Sequence, residues 1–185
     1  MVQGKESGRE RLLLVTFSTG MGTASLRVQV WRKLTSLGAH YLHDAVCLLP
    51  AREPLVREVD RLLARVHTQR GNGTALTIDV PDPAEYETLV GRFNIHRSTE
   101  YADMQERIGM LTDEITAATR RGRRASYVQV DEFEADLARV RTLLDRIIAR
   151  DYFGSRHRAA AQADLDRCAQ AIWGASRFPD SYLLT

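Results

Sequence analysis

Leu26, Val30, Leu34 and Leu37 follow one another at steps of four, four and three, the spacing that turns one stripe of a helix toward a core. Arg27, Arg32 and Lys33 fall off that stripe, toward water. Gly38 closes it, where a helix end favours a residue that tolerates positive φ. Two short β-rich runs come next, Ala39 to Leu42 and Val46 to Leu49, joined by His43, Asp44 and Ala45. The connection is short enough to force antiparallel pairing, although Ala45 lacks the conformational freedom of a glycine. The second run has no polar alternation and predicts a strand covered on both faces, while the first alternates as an edge strand does.

The pattern extends in both directions. Upstream, Arg11 to Phe17 contains four consecutive apolar residues, Leu12 to Val15, and predicts a second central strand. Downstream, Pro54 opens an amphipathic helix with Leu55, Val59, Leu62, Leu63 and Val66 on one side, which Gly71, Asn72 and Gly73 end. Thr74 to Val80 then alternates, Leu76, Ile78 and Val80 against Thr77 and Asp79, as a half-exposed edge strand does. The order β-α-β-β-α-β predicts an α+β fold of the split βαβ, or ferredoxin-like, arrangement with its first and third strands central.

From Asp82 the signal is helical. Tyr86, Leu89, Val90 and Phe93 form one stripe, and Met104, Ile108, Leu111, Ile115 and Ala118 another. Asp131 is the expected N-cap of a further helix carrying Phe133, Leu137, Val140, Leu144 and Ile147, which Gly154 ends, and a last helix is expected from about Arg156 to Trp173. Helices of this length joined by short turns predict a bundle. The expected organisation is a flexible lead over residues 1–10, a ferredoxin-like domain over 11–81 and a helical region over 82–185 packed on it. Buried central strands require that this region, or a second subunit, cover the sheet face opposite the two domain helices.

Composition adds bounds rather than a function. The chain has 185 residues, 44% of them hydrophobic and 27% charged, and a formal net charge of +2, so an anionic partner must be argued from local clusters. Cys47 and Cys168 are too few for a disulfide framework or a cysteine zinc site. No apolar lead suggests a signal peptide, and no run approaches the roughly 20 apolar residues of a membrane span, so the cytoplasm is the expected location and no membrane the expected partner.

Arg27, Val28, Trp31, Arg32, Leu34, Leu37, Gly38, Ala39, Asp44, Val46, Leu48, Leu49 and Pro50 together make a pattern that resembles the amino-terminal domain of the ChrB chromate-resistance regulator family. A more distant likeness is to the central domain of PaaX-type phenylacetate repressors. The likeness continues, more weakly, through Phe93, Asn94, Arg97, Glu100 and Tyr101. The chain departs from the family at Ala45 and Cys47, where members have glycine and an aromatic residue. The resemblance implies a ferredoxin-like domain in a transcriptional regulator, or regulatory accessory protein, that binds operator DNA and responds to chromate or a related oxyanion. A homodimer is the expected assembly.

Several clusters could carry that chemistry. Arg120, Arg121, Arg123 and Arg124 form the densest basic run and could meet phosphates or an oxyanion, or simply favour a helix C-terminus. Arg27, Arg32 and Lys33 beside Trp31 could stack on and pair with a nucleic acid, although core packing of Trp31 under Arg27 is the expected arrangement. Arg156 and Arg158 flank His157 at a helix start, where cations oppose the dipole and hint at an anionic partner. His96, Glu100 and Asp103 share a helix face and could hold a divalent metal if a second helix completed the set, although such triplets also arise by chance on solvated helices. No phosphate loop, dinucleotide motif, zinc-hydrolase motif or nucleophile elbow is present, so no cofactor is expected and catalysis is the minority reading. The competing functions are a small metal- or redox-handling enzyme of chromate detoxification and a dimeric interaction module.

Overall fold

The computed structural model describes residues 9–19, 24–120 and 124–176. Among them lie β1 (Leu12–Ser18), α1 (Ala24–Ser36), β2 (His40–His43), β3 (Val46–Pro50), α2 (Glu53–Thr68), β4 (Asn72–Ile78), α3 (Pro83–Thr119), α4 (Tyr127–Ile148) and α5 (Arg158–Ser176). The fold class is α+β, with one antiparallel sheet in the order β2-β3-β1-β4. The chain forms two compact units, residues 1–93 and 94–185, so the division falls inside α3.

In the first unit the two unbroken apolar runs, β1 and β3, take the middle places of the sheet. Leu13 pairs with Leu49, and Val15 with Cys47 on one side and Ala75 on the other, so these residues share one face. Leu26, Val30 and Leu34 of α1 and Val59, Leu62, Leu63 and Val66 of α2 close over it in a single core. Each such side chain taken out of water contributes about 1.5–3 kcal/mol before entropy is counted. Gly38, at φ 81°, ends α1 in the left-handed conformation its position predicts. The hairpin turn has no left-handed residue, and a register shift between Tyr41 and His43 accommodates it.

The alternating strand β4 takes the edge of the sheet, as expected. Leu76 pairs opposite Leu14, on the face away from α1 and α2, and is 55% exposed, while Gly73 and Ala75 face the helices. α2 lies close on this side: a Cβ on Gly73 would lie 2.6 Å from Leu63 Cδ2 and 3.2 Å from the Thr16 backbone oxygen. On the opposite face Leu12 of β1 and Leu48 of β3 are buried, and the ring of Phe93 sits 5.6 Å from that of His40.

Gly71 is required for room rather than for its φ, since the left-handed residue at the end of α2 is Arg70. A Cβ at Gly71 would lie 2.9 Å from the Ser18 backbone oxygen and 2.7 Å from Val66 Cγ1. Gly71→Ala is therefore expected to cost about 2 kcal/mol in urea unfolding, because backbone must shift. Gly91→Ala, in exposed α3 with no atom near the added methyl, is expected to gain about 0.5–1 kcal/mol. Equal effects at the two positions would contradict the close packing at Gly71.

Cys47 is fully buried between β1 and β2, and burial pushes its thiol from 9.0 up to about 12. The unfolded chain loses this proton first, so the stabilisation is complete below about pH 9 and is lost as pH rises toward 12. Tyr41, pushed up to about 12 by burial and by its neighbour Cys47, acts in the same direction. Urea midpoints measured at pH 8 and pH 11 are expected to fall more steeply in the wild type than in Cys47→Ala, and parallel slopes would contradict this.

The second unit has its own core. Tyr101, Met104, Ile108, Leu111 and Ile115 of α3 meet Phe133, Leu137, Leu144 and Ile147 of α4 and Leu165, Cys168 and Ile172 of α5. α4 begins earlier than Asp131: Ser126 is its N-cap, its side chain accepting from the Gln129 N–H while the Gln129 side chain accepts from the Ser126 N–H. This reciprocal box satisfies two end groups at once, which outweighs a lone aspartate five residues on. Among the described residues no helix is long and apolar enough to cross a membrane.

Candidate anion site

The basic groups singled out in the sequence fall in both units, the α1 group in the first and the others in the second. On α1, Arg27 lies 3.7 Å from Asp44, and Lys33 is held 2.6 Å from Glu58 of α2, whose carboxyl it keeps below the usual range. Arg32 is exposed. Trp31 is not core but 50% exposed, because it follows Val30 by one residue and so sits about 100° around the helix from the buried stripe. Arg120 and Arg124 are exposed near the ends of α3 and α4, and Arg121 and Arg123 lie outside the described residues. Arg156 donates from Nε to His157 Nε2 at 3.2 Å, while Arg158 is half-buried at the start of α5.

The metal triplet does not assemble either. His96 is exposed, and the Glu100 carboxylate is taken by two guanidiniums, Arg97 at 2.6 Å and Arg150 at 3.2 Å. Among the described residues no group of three or more metal-ligating side chains is close enough to hold an ion.

What the second unit does bring together is a polar cluster built on the α3 core stripe. Read backward from Met104 in steps of three and four, that stripe reaches Tyr101 and then Arg97, so an arginine occupies a core position. Arg97 is only 8% exposed. Its contact with Glu100 is an ion pair by distance, yet Nη1 makes no aligned hydrogen bond and keeps donor capacity. Burial lowers the Arg97 pKa, Glu100 opposes that shift, and Arg150 adds to it. The guanidinium nevertheless stays charged.

Beside this pair, Asp151 follows the end of α4 and is buried. It accepts from the Tyr101 hydroxyl at 3.0 Å and from the Ser155 N–H at 2.8 Å, which fixes the Asp151 to Ser155 turn ahead of α5. Burial, and then the bond to Asp151, push the Tyr101 hydroxyl well above its ordinary pKa. Ser98 and Ser155 face each other at 3.4 Å.

The outer side of Glu100 and Arg150 lines a cavity of about 320 Å³ between α3 and α4, completed by Asp103, Arg107, Arg146 and the apolar Met104, Leu143 and Ile147. Arg107 and Arg146 make no ion pair or side-chain hydrogen bond among the described residues. Three guanidiniums thus face two carboxylates, one of which is already neutralised from beneath by Arg97. Such a surplus of forked donors suits an oxyanion, which can accept two parallel bonds from each arginine. Sequence reasoning missed Arg107 and Arg146 because each looks like an ordinary exposed helix position. The available signal was their spacing, since Arg146 in the last turn of α4 precedes Arg150 by four residues and Arg107 lies one turn beyond Asp103 on α3.

A search of curated proteins finds no match to this chain. The family model described as Protein ChrB, N-terminal, matches residues 27–177, which includes most of α1, the hairpin, the polar cluster and the arginine-lined cavity. The resemblance carried by the Arg27 to Pro50 pattern therefore extends over most of the chain, and the protein belongs to the ChrB amino-terminal family, which associates it with chromate resistance.

Proposed function

We propose that this chain is a regulator of chromate resistance that takes a tetrahedral oxyanion among Arg107, Arg146 and Arg150 and couples its binding to contact with operator DNA. The observation that carries the reading is the cavity, where Arg107 of α3 and Arg146 of α4, without an ion-pair partner among the described residues, lie beside a carboxylate that an anion can displace from Arg150. An incoming oxyanion competes with Glu100 for Arg150, leaving Glu100 to Arg97, so occupancy alters the tie between α3 and the end of α4. In this reading the first unit is a ferredoxin-like domain, α3 to α5 form a helical bundle, and the exposed Arg120 and Arg124, with Arg121 and Arg123, supply backbone contacts to DNA in a homodimer.

The test is a mobility-shift assay on DNA from upstream of the chain's own gene, with and without chromate. Wild type is expected to retard the DNA, chromate to change the retarded fraction, and replacement of Arg120, Arg121, Arg123 and Arg124 by alanine to weaken retardation by about tenfold or more. Retardation unaffected by chromate would overturn the sensing half of the proposal. Retardation unaffected by the four substitutions would overturn the assigned DNA contact.

A further inference from the structure

A separate feature of the first unit has no part in the reading above. Between α1 and the β2–β3 hairpin lies a groove of about 840 Å³, within the usual size of small-molecule sites, lined by Arg27, Val28, Trp31, Tyr41, His43 and Asp44 among others. Val28 and Trp31 turn large apolar surfaces into it, 44% and 50% exposed. Its walls are tied together in the absence of any ligand. The Tyr41 hydroxyl donates to the Trp31 carbonyl at 3.3 Å, and Arg27 reaches across the mouth to Asp44 at 3.7 Å.

We propose that this groove binds a purine nucleotide, its base stacked on Trp31 and its phosphate held by Arg27. The flat face of an exposed indole favours a planar ring, and Arg27 supplies a bidentate donor for a phosphate. Asp44, with 95% of its side chain exposed, is an acceptor for a ribose hydroxyl or an exocyclic amine once its long contact with Arg27 is exchanged for the ligand. The electrostatics select a mononucleotide rather than a strand. Continuous nucleic acid requires a row of cations, whereas Lys33 is committed to Glu58 on α2 and Asp44 opposes a second phosphate at the groove mouth.

The chain has two tryptophans, Trp31 and Trp173, so Trp173→Phe leaves Trp31 as the sole indole reporter. Titration of this variant with AMP and GMP is expected to quench its fluorescence saturably, with half-saturation below about 1 mM. Addition of Arg27→Gln is expected to weaken that response about tenfold with an unchanged circular dichroism spectrum. Three results would overturn the proposal: no saturable quenching at several millimolar nucleotide, equal quenching with Arg27→Gln, or a response to inorganic phosphate or a single-stranded oligonucleotide but not to mononucleotides.

Discussion

Replacing Asp151 with alanine is expected to lower the unfolding free energy of the second unit by about 3 kcal/mol or more, as read from urea unfolding. Two donors lose their acceptor at once. The Tyr101 hydroxyl, on a side chain with no exposure, and the Ser155 N–H both point at this carboxylate. Neither gains water in compensation, so each carries the desolvation penalty of an unmade bond. Asp151 also supports the charge of buried Arg97, so its loss leaves a cation less well balanced. Tyr101→Phe removes a single hydroxyl and is expected to cost about 1 kcal/mol. The double variant is expected to cost less than the sum, because both changes break the same bond. A loss below about 1 kcal/mol for Asp151→Ala would mean that the cluster is hydrated rather than closed.

Leu49→Ala is expected to cost about 3 kcal/mol in the first unit, whereas Leu76→Ala is expected to lie within about 0.5 kcal/mol of wild type. Both are strand leucines in the same sheet, and their environments differ. Leu49 sits on β3 between two neighbours, pairs with Leu13, has no exposed surface and faces the helices α1 and α2. Its truncation leaves a void among rigid β-strand and helix neighbours that relax little. Leu76 lies on the edge strand, on the face away from those helices, and already contacts water. Equal costs would contradict the register that puts Leu76 opposite Leu14.

The parts of this fold that were legible in the sequence are those where one local cause dominates. Four consecutive apolar residues in β1 and the unbroken Val46 to Leu49 run placed both strands at the centre of the sheet, because only central strands are covered on both faces. The spacing of Leu26, Val30 and Leu34, and Gly38 after them, located α1 and its end for similarly local reasons. Alternation in β4 marked a half-exposed strand without saying which face is inner, and the inner face carries Gly73 and Ala75 close against α2. Trp31 misled because residue type suggested burial while its position beside Val30 required exposure. The anion cavity was the least legible feature. It depends on Arg107 of α3, Arg146 of α4 and Arg150 just past the end of α4 lining one cavity, a relation that no single helix pattern contains.

The most direct test of the account is isothermal titration of chromate into the wild-type chain and into the Arg107→Gln, Arg146→Gln double variant, with sulfate as a redox-inert second anion. The arginine-lined cavity predicts saturable binding of one anion per wild-type chain, weakening as salt is raised and falling about tenfold or more in the variant. Wild-type chain that takes up no anion at millimolar concentration, or a variant that binds as tightly as wild type, would contradict it.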